Sequence, residues 1–570
     1  MLLPSQSIYP GILAQAWRRE LDNLVSGDAV NRLWAKDATL WPGAEGGKRL
    51  VGGNLAWLDL PEQVGAYMER VREFAETTKR NGFQDVVFIA MGDSNLAVET
   101  LINTSAKMRY RRLFLLDSTD PSAIRAVDEQ LDYEKTLFVV ATKSGKRIET
   151  HALLLYFLSR LKAQSVRNPG GCFVAVTEED SYLSEMAITY EFLGTFHDPP
   201  GIKGRYSSLI HFGLLQSAVW NSEPQELVSR AMAMRDACRQ SATIDRNPAP
   251  GLAAFLAAAA MEESGKLLLV GTRSLRGLTY RIGQLVGAST CKEGQGLLPI
   301  CNEPPRWLEI YRQGFSAVIL KMREDENSEV NEFEMLLRRA GVPTIAIEMD
   351  SPEESGAEAF KWEIATALAC VPLHVNPFDE PDVHGTRERI SHTLEALATK
   401  HQRPVRTARV RERGIELYAE GETRQQISTL NLSEALRTFL EAREADAYLA
   451  IITYAGSNRA TDAALGRLRE RLESRLEIPV LLSSGPRYLR NFEQVYKGGP
   501  SRGLFLILTT EPPADLGIPG AGYTFGQLQL ALALSDFESL GARRMLVIQL
   551  HFTLGLEQGL SELDHLVHKL

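Results

Sequence analysis

Hydroxyl and cationic side chains are concentrated between Thr142 and Arg147, directly after the apolar run 137–140. These six positions hold two hydroxyls, one glycine and three cations. Such a set suits a phosphate, because hydroxyls and amides donate hydrogen bonds while cations neutralise charge. A following helix with Ile148, Ala152 and Leu155 on its apolar face would add its dipole. A capped helix start with solvated basic residues is the structural alternative. The predicted phosphate-binding residues here are Thr142, Lys143, Ser144, Lys146 and Arg147.

Three other turns carry polar groups where an apolar strand or helix ends. Met91–Ala97 contains one glycine and cap-forming side chains, among them Ser94. Gly201–Ser207 is glycine-rich and carries Arg205, which could equally be a solvated loop arginine. Gly287–Gly296 is a predicted loop of small residues that allows close approach of a ligand or simply connects two elements. In open α/β sheets, ligands bind beyond the carboxyl ends of strands, so these turns are candidate site elements.

Short, continuously apolar runs alternate with helical stretches over most of the chain, after a start with helical spacing. Continuous apolar strands separated by helices indicate parallel sheets that are covered on both faces. The predicted strands are 86–90, 113–116, 137–140, 172–176, 266–270, 315–320, 343–347, 448–453, 480–483, 504–509 and 545–549.

The pattern predicts an α/β protein with several domains, as expected for a chain of 570 residues. A stretch rich in Arg, Glu and Thr at 400–423 is interpreted as a solvated linker. The predicted organisation is a helical N-terminal segment at 1–78, doubly wound domains at 79–198 and 199–400, a linker and helix at 401–445, and a C-terminal α/β block at 446–570.

The composition narrows the function classes. Hydrophobic residues make up 44% and charged residues 24%, which is typical of a globular protein rather than a disordered one. The net charge of −9 argues against nucleic acid as a partner. Five scattered cysteines without C-x-x-C spacing predict a reducing compartment and no metal site. We expect a cytoplasmic protein without a membrane anchor, because the longest apolar run, 252–261, is too short to span a bilayer.

Taken in order, these segments resemble the glucose-6-phosphate isomerase family. The likeness is greatest to the isomerase half of bifunctional transaldolase/glucose-6-phosphate isomerases, without their transaldolase domain. The resemblance implies two flavodoxin-like sugar-isomerase (SIS) domains, a phosphosugar bound between them, and reversible conversion of glucose 6-phosphate to fructose 6-phosphate without a cofactor. Further matching segments are 33–41, 57–61, 116–121, 376–379, 485–489 and 497–500.

The resemblance also assigns roles to residues. It places the phosphate on the turns that carry Ser94 and Thr142–Ser144, and it gives Arg205 the stabilisation of the enediolate intermediate. The family's proton-transferring glutamate falls at Ala288, which cannot accept a proton. General-base catalysis is worth roughly 10²–10⁴-fold, so this change predicts impaired turnover.

Other positions also differ from the family in ways that predict impaired turnover. Glu380 and Arg387 stand where the family has glutamine and lysine, and Arg387 remains a candidate catalytic residue. An arginine keeps the charge of a lysine but is no proton donor near neutral pH. Arg490 and Tyr496 replace two histidines that are candidates for ring opening, and His384 lies on the segment that faces the sugar in the family.

The main interpretation is an isomerase of this lineage with impaired catalysis. Three hypotheses stay open beside it: an active isomerase that has moved its base, a non-catalytic phosphosugar-binding protein with a regulatory or scaffold role, and a subunit that docks a separate transaldolase and serves assembly. A sugar phosphate is the expected ligand. A second copy of the chain and a separate transaldolase are candidate protein partners.

Overall fold

The chain forms two compact units. The computed structural model describes residues 3–42, 54–92, 95–96, 99, 112–199, 201–207, 209, 224–239, 247–262, 265–302, 314–383, 385–400, 406–428, 431–456, 458–500 and 503–570. The first unit comprises Met1–Leu115, Glu134–Lys146 and Asn168–Pro381. The second unit comprises Leu116–Tyr133, Arg147–Arg167 and Asp382–Leu570.

One sheet of the first unit has the strand order β3-β2-β4-β5-β6. The pairs β2–β4, β4–β5 and β5–β6 are parallel. Every residue of β2 and β4 is buried, as expected for continuous apolar strands inside a parallel sheet. Its strands are β2 (Asp85–Ala90), β3 (Arg112–Leu116, ending at the unit boundary), β4 (Thr136–Ala141), β5 (Phe173–Glu178) and β6 (Gly194–Asp198).

The other sheet of the first unit has the order β1-β10-β9-β7-β8. Four of its strands are parallel, whereas β1 runs antiparallel to β10, with Ser5 opposite Glu348 and Tyr9 opposite Thr344. The sequence predicts only helices near the N-terminus, so β1 is a correction. The strands are β1 (Ser5–Tyr9), β7 (Lys266–Gly271), β8 (Leu298–Cys301), β9 (Phe315–Met322) and β10 (Thr344–Met349).

The helices of the first unit include one that is apolar all round. This is α8, in which every residue from Ala249 to Ala259 is buried, and it packs against α1 and α11. A helix without a polar face is stable only when its neighbours cover it completely. The helices are α1 (Ala14–Ser26), α2 (Ala29–Trp34), α3 (Leu60–Arg80), α6 (Tyr182–Thr189), α7 (Pro224–Arg239), α8 (Pro248–Met261), α9 (Arg276–Thr290), α10 (Ser328–Arg339) and α11 (Glu354–Ala369).

The second unit contains a six-stranded sheet with the order β11-β12-β16-β15-β13-β14. Strands β13 to β16 are parallel, and β12 pairs with β16 in the antiparallel sense. The prediction of a solvated linker is therefore wrong for residues 410–419, because alternate side chains of these two strands are buried in the core. The strands are β11 (Val410–Glu412), β12 (Ile415–Ala419), β13 (Tyr448–Tyr454), β14 (Val480–Ser484), β15 (Gly503–Thr510) and β16 (Leu546–Phe552).

Two helices of the second unit begin with complete capping boxes. In α15 the Asn458 side chain accepts from the Thr461 amide and the Thr461 hydroxyl accepts from the Asn458 amide, and Thr524 with Gln527 does the same for α17. The helices are α4 (Pro121–Asp128), α5 (Ile148–Ala163), α12 (Thr386–Lys400), α13 (Gly421–Gln426), α14 (Leu432–Glu441), α15 (Arg459–Leu476), α16 (Arg487–Gly498), α17 (Phe525–Ala542) and α18 (Leu556–Lys569).

The α/β class with parallel sheets is confirmed, and each of the eleven predicted strands is present. The five-segment domain division stays a prediction. In the part of the chain that the structure describes, no helix combines the length and apolarity needed to cross a membrane.

Candidate functional site

The turn that follows β4 depends on Gly145, whose φ is +66°. A Cβ at this position would lie 2.5 Å from the backbone nitrogen of Leu183, so no other residue fits without a shift. The turn is held against β5 by hydrogen bonds, two of which involve the backbone of Thr142. The Thr142 amide donates to the Val176 carbonyl at 3.1 Å, and the Thr177 hydroxyl donates to the Thr142 carbonyl at 2.7 Å.

The side chains of this turn differ in how they are engaged. Thr142 is buried, and its hydroxyl has no hydrogen-bond partner among the described residues. The Ser144 hydroxyl accepts from the Lys146 amide at 3.4 Å, while the Lys146 side chain is exposed. A buried hydroxyl without a protein partner is satisfied when a ligand supplies one.

Lys143 connects this turn to the loop that carries Arg205. Its ammonium group donates to the carbonyl of Ile202, three residues before the arginine. Arg205 lies in a short 3₁₀ turn, Gly204–Tyr206. Two turns that are about sixty residues apart in sequence are thus adjacent in the first unit.

Arg205 is only 4% exposed, and its guanidinium group is surrounded by oxygen atoms. It pairs with the Glu380 carboxylate, and it donates to the carbonyls of Pro377 at 2.8 Å and of Asp379 at 3.1 Å. A buried cation needs such compensation, because removing it from water is costly. The loop 377–380 therefore holds the arginine in place.

Ala288 lies in the last turn of α9, where it is buried. The prediction of a loop from residue 287 onward is wrong for residues 287–290, since the helix continues to Thr290. The Ser289 hydroxyl lies 3.1 Å from the hydroxyl of Tyr206, which is next to Arg205 in sequence. The end of α9 thus contacts the turn that carries the arginine.

Lys292 is the second buried cation of this region. Its ammonium group donates to the carbonyl of Ser289 at 2.6 Å and to that of Ala288 at 3.2 Å, and it lies 3.6 Å from the Asp379 carboxylate. Burial lowers the pKa of Lys292, and the nearby charge of Arg205 lowers it further. Four segments of the first unit therefore converge, namely the turns at 142–146 and 201–207, the end of α9 with Lys292, and the loop 377–380.

Comparisons with known proteins show what this chain is similar to. The family model for phosphoglucose isomerase matches residues 56–290, which include the turn at 142–147, Arg205 and Ala288. The probable glucose-6-phosphate isomerase of Methanococcus maripaludis is 24% identical over 380 residues, covering 58% of this chain and 82% of that protein. Over residues 56–290 the chain is therefore similar to the glucose-6-phosphate isomerase family.

Two solved structures share the fold of a large part of this chain. A hypothetical protein from Thermus thermophilus superposes with a TM-score of 0.59 at 22% identity, covering 69% of this chain and 100% of that one. A glucose-6-phosphate isomerase from Chlamydia trachomatis superposes with a TM-score of 0.51 at 17% identity, covering 58% of this chain and 73% of that one. At these identities the likeness establishes the fold alone.

Some of the predicted site residues cannot be placed near Arg205. Ser94 and His384 lie outside the described residues. Arg387 belongs to α12 and Arg147 precedes α5, both in the second unit, whereas Arg205 lies in the first. Within the described ranges, no group of three or more His, Cys, Asp or Glu side chains is arranged to hold a metal ion.

Sequence reasoning missed how the charges around Arg205 are paired. Arg205 and Lys292 face Asp379 and Glu380, so two cations meet two carboxylates in one small region. The only sequence signal was that Glu380 replaces the family's glutamine. That replacement gives the arginine a permanent counter-charge inside the same chain.

Proposed function

We propose that this protein binds a hexose 6-phosphate of the glucose/fructose type and that its aldose–ketose isomerase activity is strongly impaired. The observation that carries the proposal is the pair of changes around Arg205. The side chain at position 288 is a methyl group, and the guanidinium is already neutralised by Glu380. Similarity to the glucose-6-phosphate isomerase family supports the ligand class, and these two residues support the loss of turnover.

The chemistry explains why both changes matter. Aldose–ketose isomerisation moves a proton between C2 and C1, so it needs a base beside those carbons. It also builds negative charge on oxygen, which a cation stabilises most when nothing else neutralises it. Ala288 cannot supply the base. Glu380 reduces the charge that Arg205 offers to an enediolate.

Binding is easier to keep than turnover. The turn at 142–146 retains the buried Thr142 hydroxyl, and Ser144 and Lys146 lie beside it. Lys143 remains close to the Arg205 loop through the Ile202 carbonyl. These groups suit a phosphate ester, because they supply hydrogen-bond donors and positive charge.

Glu380 is also the obvious candidate if the base has moved rather than vanished. It is the carboxylate in contact with Arg205, and its side chain is 46% exposed. Its pairing with a buried guanidinium favours a structural role over proton transfer, because a base must be released from such a pair before it can accept a proton.

The decisive test is a coupled assay that converts fructose 6-phosphate to glucose 6-phosphate. We would compare the wild type with Ala288→Glu, Ala288→Gln and the double variant Ala288→Glu/Glu380→Gln. The glutamine variant matches the glutamate in size but lacks a base. We expect very low wild-type turnover, a gain of at least tenfold for Ala288→Glu, a larger gain for the double variant, and no gain for Ala288→Gln.

Thermal unfolding with and without fructose 6-phosphate separates binding from catalysis. Ligand-dependent stabilisation of the wild type supports phosphosugar binding. If the wild type turns over robustly and Glu380→Gln abolishes that turnover, the result would instead support a moved base. If the wild type turns over and Arg205→Ala abolishes that turnover, the impaired-enzyme proposal would be overturned.

A cytoplasmic location, self-association and a separate transaldolase partner are further parts of the proposal, to be tested by fractionation and by co-purification.

A further inference from the structure

A cavity of about 450 Å³ opens in the second unit, at the carboxyl ends of β13 and β14. Its size falls in the range of roughly 300–1,000 Å³ that small-molecule sites occupy. Polar lining comes from the segment after β3, from the two strand ends and from the starts of α15 and α16. The residues that bear on its chemistry are Asp117, Ser118, Thr453, Asp462, Ser484 and Arg487.

The charge of this cavity disfavours an anion. Asp117 and Arg487 form an ion pair at 2.8 Å, so the arginine is already neutralised. Asp462 adds a second carboxylate in the first turn of α15. The lining therefore carries one carboxylate more than it carries cations.

At two of the helix starts beside the cavity, backbone amides of the first turn already donate hydrogen bonds to a capping side chain. Asn458 caps α15 through hydrogen bonds from the Ala460 and Thr461 amides, at 2.8 and 3.0 Å. Asp120 caps α4 in the same way. The start of α16 lacks a side-chain cap, but its cation, Arg487, is the one held by Asp117. A phosphate would thus meet few open donors and two carboxylates.

The remaining groups suit a ligand that is rich in hydroxyls. Among the described residues, the Thr453 and Ser484 hydroxyls have no hydrogen-bond partner. Carboxylate oxygens accept from sugar hydroxyls, and side-chain hydroxyls both donate and accept. Leu465, Leu482 and Leu556 supply apolar walls that can cover the carbon face of a ring.

We propose that this cavity binds a neutral polyhydroxylated molecule, an unphosphorylated sugar or polyol. The lining residues all belong to the second unit, whereas Arg205 belongs to the first, so the proposal goes beyond the proposed phosphosugar function. Asp462 accepts from ligand hydroxyls, and Ser484 lies where a large side chain would fill the cavity.

Isothermal titration calorimetry on the full chain tests the proposal. The titrants are D-glucose, D-fructose and sorbitol, with inorganic phosphate and ethanolamine as anionic and cationic alternatives. Asp462→Asn weakens the carboxylate contact without changing size, and Ser484→Trp fills the cavity. Glu422→Gln is the matched control, because it neutralises an exposed carboxylate in the first turn of another helix of the same unit.

We expect saturable binding of at least one neutral titrant, weakened at least fivefold by Asp462→Asn, abolished by Ser484→Trp and unchanged by Glu422→Gln. Binding of phosphate or ethanolamine alone, absence of saturable neutral binding, or binding that ignores both cavity variants would overturn the proposal. Fructose 6-phosphate binding that depends on Arg205 is measured separately, so failure of the proposed function would be distinguishable.

Discussion

The Arg205 guanidinium and the Glu380 carboxylate form an ion pair in which the cation is buried and the carboxylate is half exposed. The pair is asymmetric, because the arginine depends on Glu380 for neutralisation while the glutamate is partly solvated. Two main-chain carbonyls complete the arginine's surroundings. A ligand oxyanion that approaches Arg205 must therefore compete with a tethered carboxylate.

Replacing that carboxylate should reduce stability and favour anion binding. We expect Glu380→Gln to lower the free energy of unfolding by roughly 1–3 kcal/mol, less than for a fully buried pair because the carboxylate is half exposed. Fructose 6-phosphate should then raise the melting temperature more in the variant than in the wild type. Glu324→Gln, at an exposed carboxylate in the first unit, is the control for net charge. An equal ligand-induced shift in variant and wild type would contradict the competition.

Gly145 should tolerate no side chain, whereas Gly82 should tolerate one at a modest cost. Both have positive φ, +66° and +73°, but a Cβ at Gly82 meets nothing within 4 Å. Gly82→Ala should cost only backbone strain of roughly 1–2 kcal/mol. Gly145→Ala should add an overpacking cost of roughly 1–3 kcal/mol. Urea unfolding of the two variants measures the difference, and equal losses would argue against the close contact with Leu183.

Lys292 should make stability depend on alkaline pH. Its pKa in the folded chain lies below the ordinary 10.5, since burial disfavours the charged form. The unfolded chain then binds more protons in the window between the two pKa values, so this group's contribution to stability rises as pH approaches 10.5. From about pH 8 to about pH 10, the melting temperature of the wild type should rise relative to that of Lys292→Met measured in the same buffers. A difference that is flat or falls with pH would contradict the shift.

The cysteine thiols should be unreactive in the folded protein. All five are free and buried, and burial raises the pKa of Cys238, Cys291 and Cys370 to about 12. Thiolate is the reactive form, so a thiol reagent at about pH 8 should modify none of the five in the native state. All five should react in guanidinium chloride. Rapid native-state labelling would show that one of these thiols is accessible.

The apolar strands were predictable because a parallel sheet buries both faces, as the fully buried β2 and β4 illustrate. Several short strands at or next to a sheet edge were not. Strands β11 and β12 span only three and five residues, and their Arg and Glu content suggested a linker. Likewise β1 is short and becomes a strand only through its pairing with β10.

The candidate site was predictable in its parts but not in its pairing. The turn at 142–147 and Arg205 stood out by residue type, and the substitution at Ala288 by resemblance. No local sequence pattern predicted that Lys143 contacts the Ile202 carbonyl or that Glu380 neutralises Arg205, because both contacts join segments far apart in sequence. The extension of α9 over Ala288 was missed because small residues such as glycine, serine and threonine have weak helix preference, which tertiary packing overrides.

The antiparallel strand at the start of the chain has a consequence for biosynthesis. Residues Ser5–Tyr9 leave the ribosome long before their partner strand Thr344–Met349, which follows more than three hundred residues later. Until then the early segment has no ladder to join, and if it is trimmed away β10 becomes an open edge that can recruit another chain. Fusion tags and truncations at this terminus should therefore affect aggregation more than their distance from Arg205 suggests.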